Sequence, residues 1–159
     1  MEQKKFSLWL RIIIIGVGLC GLIVFGAVVP ALGTQMQSLY PEFSTAVLPW
    51  KIFIWCSGVP CFAVLFFAWK IASSIGADRS FTNENAKNLN WISGLAAGDA
   101  LFFFLGNLLF LFLHMTLPGM VLASFIIVFI GIAVAVASAA LSHLVKKAAD
   151  LQELSDLTI

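Results

Sequence analysis

Charge is scarce in this sequence. Nine basic and eight acidic residues make up 11% of 159 positions and leave a net charge of +1; soluble domains carry about a quarter charged residues. A chain of this size cannot hide 61% hydrophobic residues in its own interior, so lipid must solvate much of it. The near-neutral balance gives no basis for direct contact with nucleic acid. Cysteine is equally sparse. Cys20, Cys56 and Cys61 fall inside apolar runs, in odd number and without a C-x-x-C pair. That excludes a disulfide framework, and the three read as small apolar residues. The sequence contains no H-E-x-x-H, nucleophile elbow or carboxylate pair, the spacings that hydrolytic and metal chemistry require. The chain therefore reads as non-enzymatic, with no catalytic residue, metal set or cofactor.

What the chain does have is long apolar runs. Crossing about 30 Å of hydrocarbon takes roughly 20 helical residues, and four stretches qualify: 10–29, 50–71, 91–113 and 119–141. They are joined by an outer segment (30–49), a polar loop (72–90) and a tight turn at "HMTLPG", with a tail over 142–159. The first run is longer than the core of a cleaved signal peptide, which favours a span there. The fold class is thus all-α, a single polytopic membrane domain of four transmembrane helices in contact with the lipid bilayer. Eight of the nine basic residues (Lys4, Lys5, Arg11, Lys70, Arg79, Lys87, Lys146 and Lys147) flank one side, leaving Lys51 alone on the other. The positive-inside rule then puts both termini and the polar loop in the cytosol of a bacterial inner membrane. An even number of spans requires the same. Trp9, Trp69 and Trp91 fall at the inner interface and Trp50 at the outer, as aromatic belts do. His114 and His143 end on opposite faces and cannot share a site.

Gly16, Gly18 and Gly21 make a G-x-G-x-x-G spacing. A dinucleotide fingerprint needs a strand before it and solvent for the pyrophosphate, and these glycines lie within uninterrupted hydrocarbon-length sequence. Gly16 and Cys20 read instead as a small-xxx-small pair for close helix approach. Gly94 and Gly98, and Gly131 with Ala135 and Ala139, suggest the same use. Such stripes permit a homo-oligomer and serve packing within one chain equally well.

Asp99 is the only acid inside a span. An intramembrane acid costs about 2.5–3.5 kcal/mol near the bilayer centre and is a functional-site hypothesis by default. The competing reading is a protonated acid bonded to Ser or Asn on a neighbouring helix. Asn107 lies two turns on but about 80° round the helix, out of direct reach. In "CSGVPC", Pro60 leaves the Cys56 carbonyl without a donor and Gly58 loosens the turn, so a kink is expected near Ser57 and Pro60. Asp99, Asn107, Ser57 and Pro60 form the candidate intramembrane polar or ligand site.

The polar loop reads as a helix start. In "SFTNENAKNLNW", Thr82 is an N-cap residue, Glu84 complements the helix dipole, and Phe81 with Ala86 can form a hydrophobic staple. Asn83, Asn85, Asn88 and Asn90 are left over, because asparagine is a mediocre helix former; they suggest a polar contact surface. In the tail, Leu141, Leu144, Val145, Ala148, Leu151 and Leu154 repeat at helical spacing, so the fourth span should continue into the cytosol as an amphipathic helix. Its acidic end disfavours anionic lipid and favours a protein partner.

These two pieces resemble a known family. "FTNENAKNL", at Phe81, Thr82, Asn85 and Leu89, and "AADLQELSDLTI", at Leu151, Asp156, Leu157, Thr158 and Ile159, are similar to the bacterial four-helix membrane family called domain of unknown function 2975. The similarity extends over the whole chain in layout. It departs where the family often has two acids before the final Asp-Leu-Thr-Ile and this chain has Ser155. The resemblance implies four membrane helices and a neighbouring gene for a small helix-turn-helix regulator, with no known activity. The leading expectation is a membrane-bound regulator that binds such a cytosolic DNA-binding protein through Phe81, Thr82, Asn85, Asn88, Leu89, Leu151, Leu154, Asp156, Leu157, Thr158 and Ile159. One alternative is a small transporter or export accessory using Asp99 and the Pro60 kink. Another is an immunity or envelope-stress protein acting through its outer segment.

Overall fold

The computed structural model describes residues 2–156, with the side chains of Glu2, Pro118 and Asp156 left aside. Its elements in order are α1 (Glu2–Ile23), a π-turn (Val24–Val28), α2 (Val29–Leu39), a 3₁₀ turn (Pro41–Phe43), α3 (Ser44–Gly76), α4 (Asn83–Phe112) and α5 (Pro118–Asp156). No strand occurs among the described residues. Four helical stretches are long and apolar enough to cross a membrane: Gln3–Leu39, Pro41–Gly76, Asn83–Phe112 and Gly119–Ser155. The all-α, four-helix expectation is met.

The helices pack as an open row. α1 and α2 lie against α3, α3 against α4, and α4 against α5 in the most extensive pairing. Most large apolar side chains, such as Ile13, Leu22, Phe112, Leu122 and Phe129, point outward, which is tenable where the solvent is hydrocarbon. The small core lies between α3 and α4, where Phe53, Phe103 and Phe110 cluster with Trp50, Ile54, Met115 and Val128 against them. Polar side chains tie the row together, since lipid offers them no partner. Ser7 Oγ on α1 donates to the Ala72 carbonyl on α3 at 2.6 Å. Between α4 and α5, Ser142 Oγ donates to the Ala86 carbonyl at 2.7 Å, and Ser93 Oγ to the Ala135 carbonyl at 2.8 Å. Ser124 Oγ lies 2.7 Å from Asn107 Oδ1. These three contacts are spread along the whole length of the hairpin.

The join at 30–49 is helical almost throughout. α2 reaches Leu39 and α3 begins at Ser44, so only Tyr40 and the 3₁₀ turn separate them. Pro41 sets this boundary. It biases Tyr40 to extended backbone, and Tyr40 has φ −133° and ψ 78°. At Pro60 the expected kink leaves no gap, and α3 stays helical through it. The tight turn at "HMTLPG" and the loop after α3 close in the same way. Asp78 (φ 61°) and His114 (φ 54°) are left-handed. The Arg79 N–H reaches the Ser74 carbonyl at 3.0 Å, and the Met115 N–H reaches the Phe110 carbonyl at 2.9 Å. Both are Schellman closures in which Asp and His occupy a position usually held by glycine, and both residues tolerate it better than most.

Pro30 explains the π-turn. Within it the Val29 N–H reaches back to the Val24 carbonyl, so in the same register the Phe25 carbonyl would look to residue 30. Proline has no N–H to give. The orphan carbonyl is satisfied from the next helix, where Trp55 Nε1 donates to it at 3.0 Å. An unmade hydrogen bond at such a site costs about 1–3 kcal/mol. Trp55→Phe should therefore lower the stability of the purified protein by that amount. In a Pro30→Ala background, which restores an ordinary helical donor, the same change should cost much less. Equal losses in both backgrounds, read from thermal unfolding in one detergent, would refute the link between proline and tryptophan.

Candidate functional site

Two places bring polar groups together. The first lies at the end of the row that carries both the start of α1 and the end of α5. There the segment between α3 and α4 folds back under side-chain control. Thr82, extended at φ −128° and ψ 151°, caps α4 by accepting from the Asn85 N–H at 3.2 Å. Glu84 lies in the first turn, as the sequence suggests. Asn85 is the largest fully buried side chain of the described residues, at 2% exposure. Its Nδ2 donates to the Arg79 carbonyl at 3.1 Å and to the Ser80 carbonyl at 3.0 Å, while Ser74 Oγ donates to the Arg79 carbonyl at 2.7 Å. One buried amide thus fixes the path of residues 79 and 80.

Around this fixed loop opens a groove of about 710 Å³. Gln3 comes from α1, Asp78 to Thr82 from the loop, Asn83 from the start of α4, and Ala149, Gln152 and Glu153 from α5. The rim is polar and its charged side chains are Asp78, Arg79 and Glu153.

The expected contact residues divide here. Phe81, Leu151 and Leu154 are exposed, at 57%, 59% and 63%. Thr82 is half-buried in the groove wall, and Leu89, half-buried further along α4, does not line it. Asn85 and Asn88, expected on a contact surface, are instead buried. Asn85 is committed to the loop backbone, and the exposed asparagines are Asn83 and Asn90. Phe81 projects outward with no sign of the staple, while Ala86 is buried against α5, where its carbonyl accepts from Ser142. Leu157, Thr158 and Ile159 lie outside the described residues, as does the side chain of Asp156.

The second place is Asp99, about 24 Å along α4 from Asn83 at ~1.5 Å per residue. Its Oδ2 accepts from Cys61 Sγ on α3 at 3.6 Å, and the Ser57 hydroxyl, buried on the same helix, also faces the carboxyl. Its Oδ1 is buried without a hydrogen-bond partner. The carboxyl lines an apolar cleft of about 270 Å³ with Cys56, Pro60, Gly94, Gly98 and Phe102. Asp99, Ser57 and Pro60 therefore do meet. Asn107 does not join them, because its amide donates to the Phe103 carbonyl at 2.8 Å and faces Ser124 on α5.

Two sequence expectations change at this cleft. Cys61 is no mere apolar filler, since its thiol is a partner of the half-buried acid; only its cross-helix neighbour shows this. Gly94 and Gly98 are not a packing seam in this chain, because a Cβ added at either would meet nothing within 4 Å. They leave the α4 backbone bare at the cleft wall. Gly16 likewise faces open space, whereas Gly21 meets Phe62 at 3.3 Å. The α5 stripe does pack. A Cβ on Gly131 would stand 3.0 Å from Ala100 Cβ, with Ala135 and Ser138 buried beyond it and Ala139 turned outward.

No solved structure matches the chain. Across 160 residues it is 25% identical to an uncharacterized membrane protein of Bacillus subtilis (strain 168), YoaS, with 99% of each protein covered. The model of a family described as a protein of unknown function, DUF2975, matches residues 31–159, which include the groove loop, the Asp99 cleft and the α5 tail, and the chain belongs to that family.

Proposed function

We propose that this protein is a membrane-anchored docking protein that holds a small helix-turn-helix regulator at the groove between the α3–α4 loop and the α5 tail. The observation that carries this reading is the groove itself. In a chain with 11% charged residues, it is a polar surface to which three separate elements contribute. Both segments that resemble the family, the loop and the tail, border it. Binding energy is not drained by ordering the loop, because the buried Asn85 amide already holds it; preorganisation of this kind lowers the entropic cost of association. The cytosolic placement is supported by eight of nine basic residues flanking this side. The rim carries two acids, Asp78 and Glu153, against one base, Arg79, a balance that suits the basic face of a DNA-binding domain, and such complementarity acts on encounter rate and specificity. Sequestration at the membrane would keep the regulator from DNA.

Asp78→Lys combined with Glu153→Lys should abolish co-purification of a small helix-turn-helix regulator from native cells and shift transcription of that regulator's target, while the amount of this protein in the membrane stays unchanged. Binding of the unaltered pair should weaken as salt rises from about 50 to about 300 mM, because the screening length falls through about 10 Å in that range. Undiminished co-purification by the charge-reversed protein would rule the groove out.

A second reading is favoured by a different observation, the partnerless Oδ1 of Asp99 beside a lipid-facing cleft. A small transporter or export accessory would use that oxygen to take a proton or a donor group from cargo. Asp99→Asn keeps the shape and most hydrogen bonding, so under this reading it should remove a flux or resistance phenotype at unchanged protein level. A phenotype that survives the change, with only the unfolding temperature altered, would mark Asp99 as structural.

A further inference from the structure

At the end of the row opposite the groove, the chain gathers its methionines. It has four, and the three beyond residue 1, Met36 on α2, Met115 in the α4–α5 turn and Met120 in the first turns of α5, line one cavity of about 30 Å³ together with Trp50, Phe43 and Gly33. No methionine after the first residue lies elsewhere, although an apolar chain offers many other positions. Methionine used as a flexible gap-filler would be scattered over such positions. Here it converges from segments about eighty residues apart in sequence onto a single void.

We propose that this cavity is a binding site for a single soft monovalent cation, Cu(I) in chemical class, held by the three thioethers beside Trp50. The space clears the ~10–15 Å³ that a single water or ion requires. The lining side chains are all apolar apart from the indole N–H of Trp50, so the thioether sulfurs are the side-chain lone pairs available. Oxygen-seeking cations such as Na⁺, Mg²⁺ and Ca²⁺ have no such ligands there. Zinc prefers thiolate, imidazole or carboxylate. Thioethers select Cu(I). A single positive charge also suits a site without an anion to neutralise it. All three methionines are half-buried, which leaves a route of entry. One group works against the cation: the Lys51 side chain lies directly over Gly33, in the cavity wall. Removing that charge should tighten binding.

The test uses Ag(I), a redox-inert probe of the same class, on the full-length purified protein. Cys20, Cys56 and Cys61 are free and would bind silver themselves, so the background carries Cys20→Ala, Cys56→Ala and Cys61→Ala. The expected result is one Ag(I) retained per chain after desalting, with a raised unfolding temperature and a sulfur-only coordination shell in X-ray absorption. Met→Leu conserves volume and is well tolerated in cores. Met36→Leu, Met115→Leu and Met120→Leu singly should each weaken retention at least tenfold, and the triple change should abolish it. Lys51→Gln should strengthen it. Should the triple variant fail to fold, the three single variants decide the question in the same way. A cysteine-free protein that retains no silver, or leucine variants that retain it as well as methionine does, would overturn the site.

Discussion

In hydrocarbon a polar group must find its partner inside the protein, and this constraint organises the chain. Apolar burial between helices contributes little driving force there, because lipid tails are as apolar as leucine. The helix row is accordingly open and thinly buried, yet it is laced at intervals. Ser7 meets the Ala72 carbonyl, Ser142 the Ala86 carbonyl, Ser93 the Ala135 carbonyl, and Ser124 the Asn107 amide oxygen. Each uses a short side chain that brings two backbones close together. The Phe25 carbonyl, freed by Pro30, obeys the same rule through Trp55. Asp99 stands out against this pattern, with a thiol on one oxygen, the Ser57 hydroxyl facing the carboxyl, and no hydrogen bond made by the other oxygen.

At the end bearing the charged residues the constraint is reversed. Water can satisfy polar groups there, so a buried one signals construction. Asn85 is such a group: its burial fixes the loop on which the proposed docking groove depends. The same residue divides the loop by function. The asparagine that shapes the backbone is hidden, while Phe81, Asn83 and the Leu151 face of α5 remain available for contact. Under the proposed function, membrane anchoring and docking would be separated along the helices, with α4 and α5 long enough to cross lipid and still supply walls of the groove.

The helices are legible in the sequence because length and hydropathy alone identify a span, and Thr82 because capping is local chemistry. The helical nature of residues 30–39 is not. Thr34, Gln35, Gln37 and Ser38 make that segment too polar to read as part of a span, and Pro30 reads as an ending when a π-turn lets the helix pass it. Cys61 escapes notice because a thiol's role is set by what stands across from it, here an acid on the next helix. Gly94 and Gly98 read as a packing seam because spacing records which residues are small and says nothing of whether a neighbour arrives. The methionine cluster has no sequence signal at all, since its members come from three elements.

The central claim is that the groove formed by the loop and tail receives a protein partner. Its most direct test is site-specific photo-crosslinking in native cells from Asn83 and from Gln152. Both are exposed residues on opposite walls of the groove. Both positions should capture the same small DNA-binding protein, identified by mass spectrometry. Crosslinks confined to this chain, joining α5 to the loop, would contradict it and leave the groove as a packing surface of the protein itself.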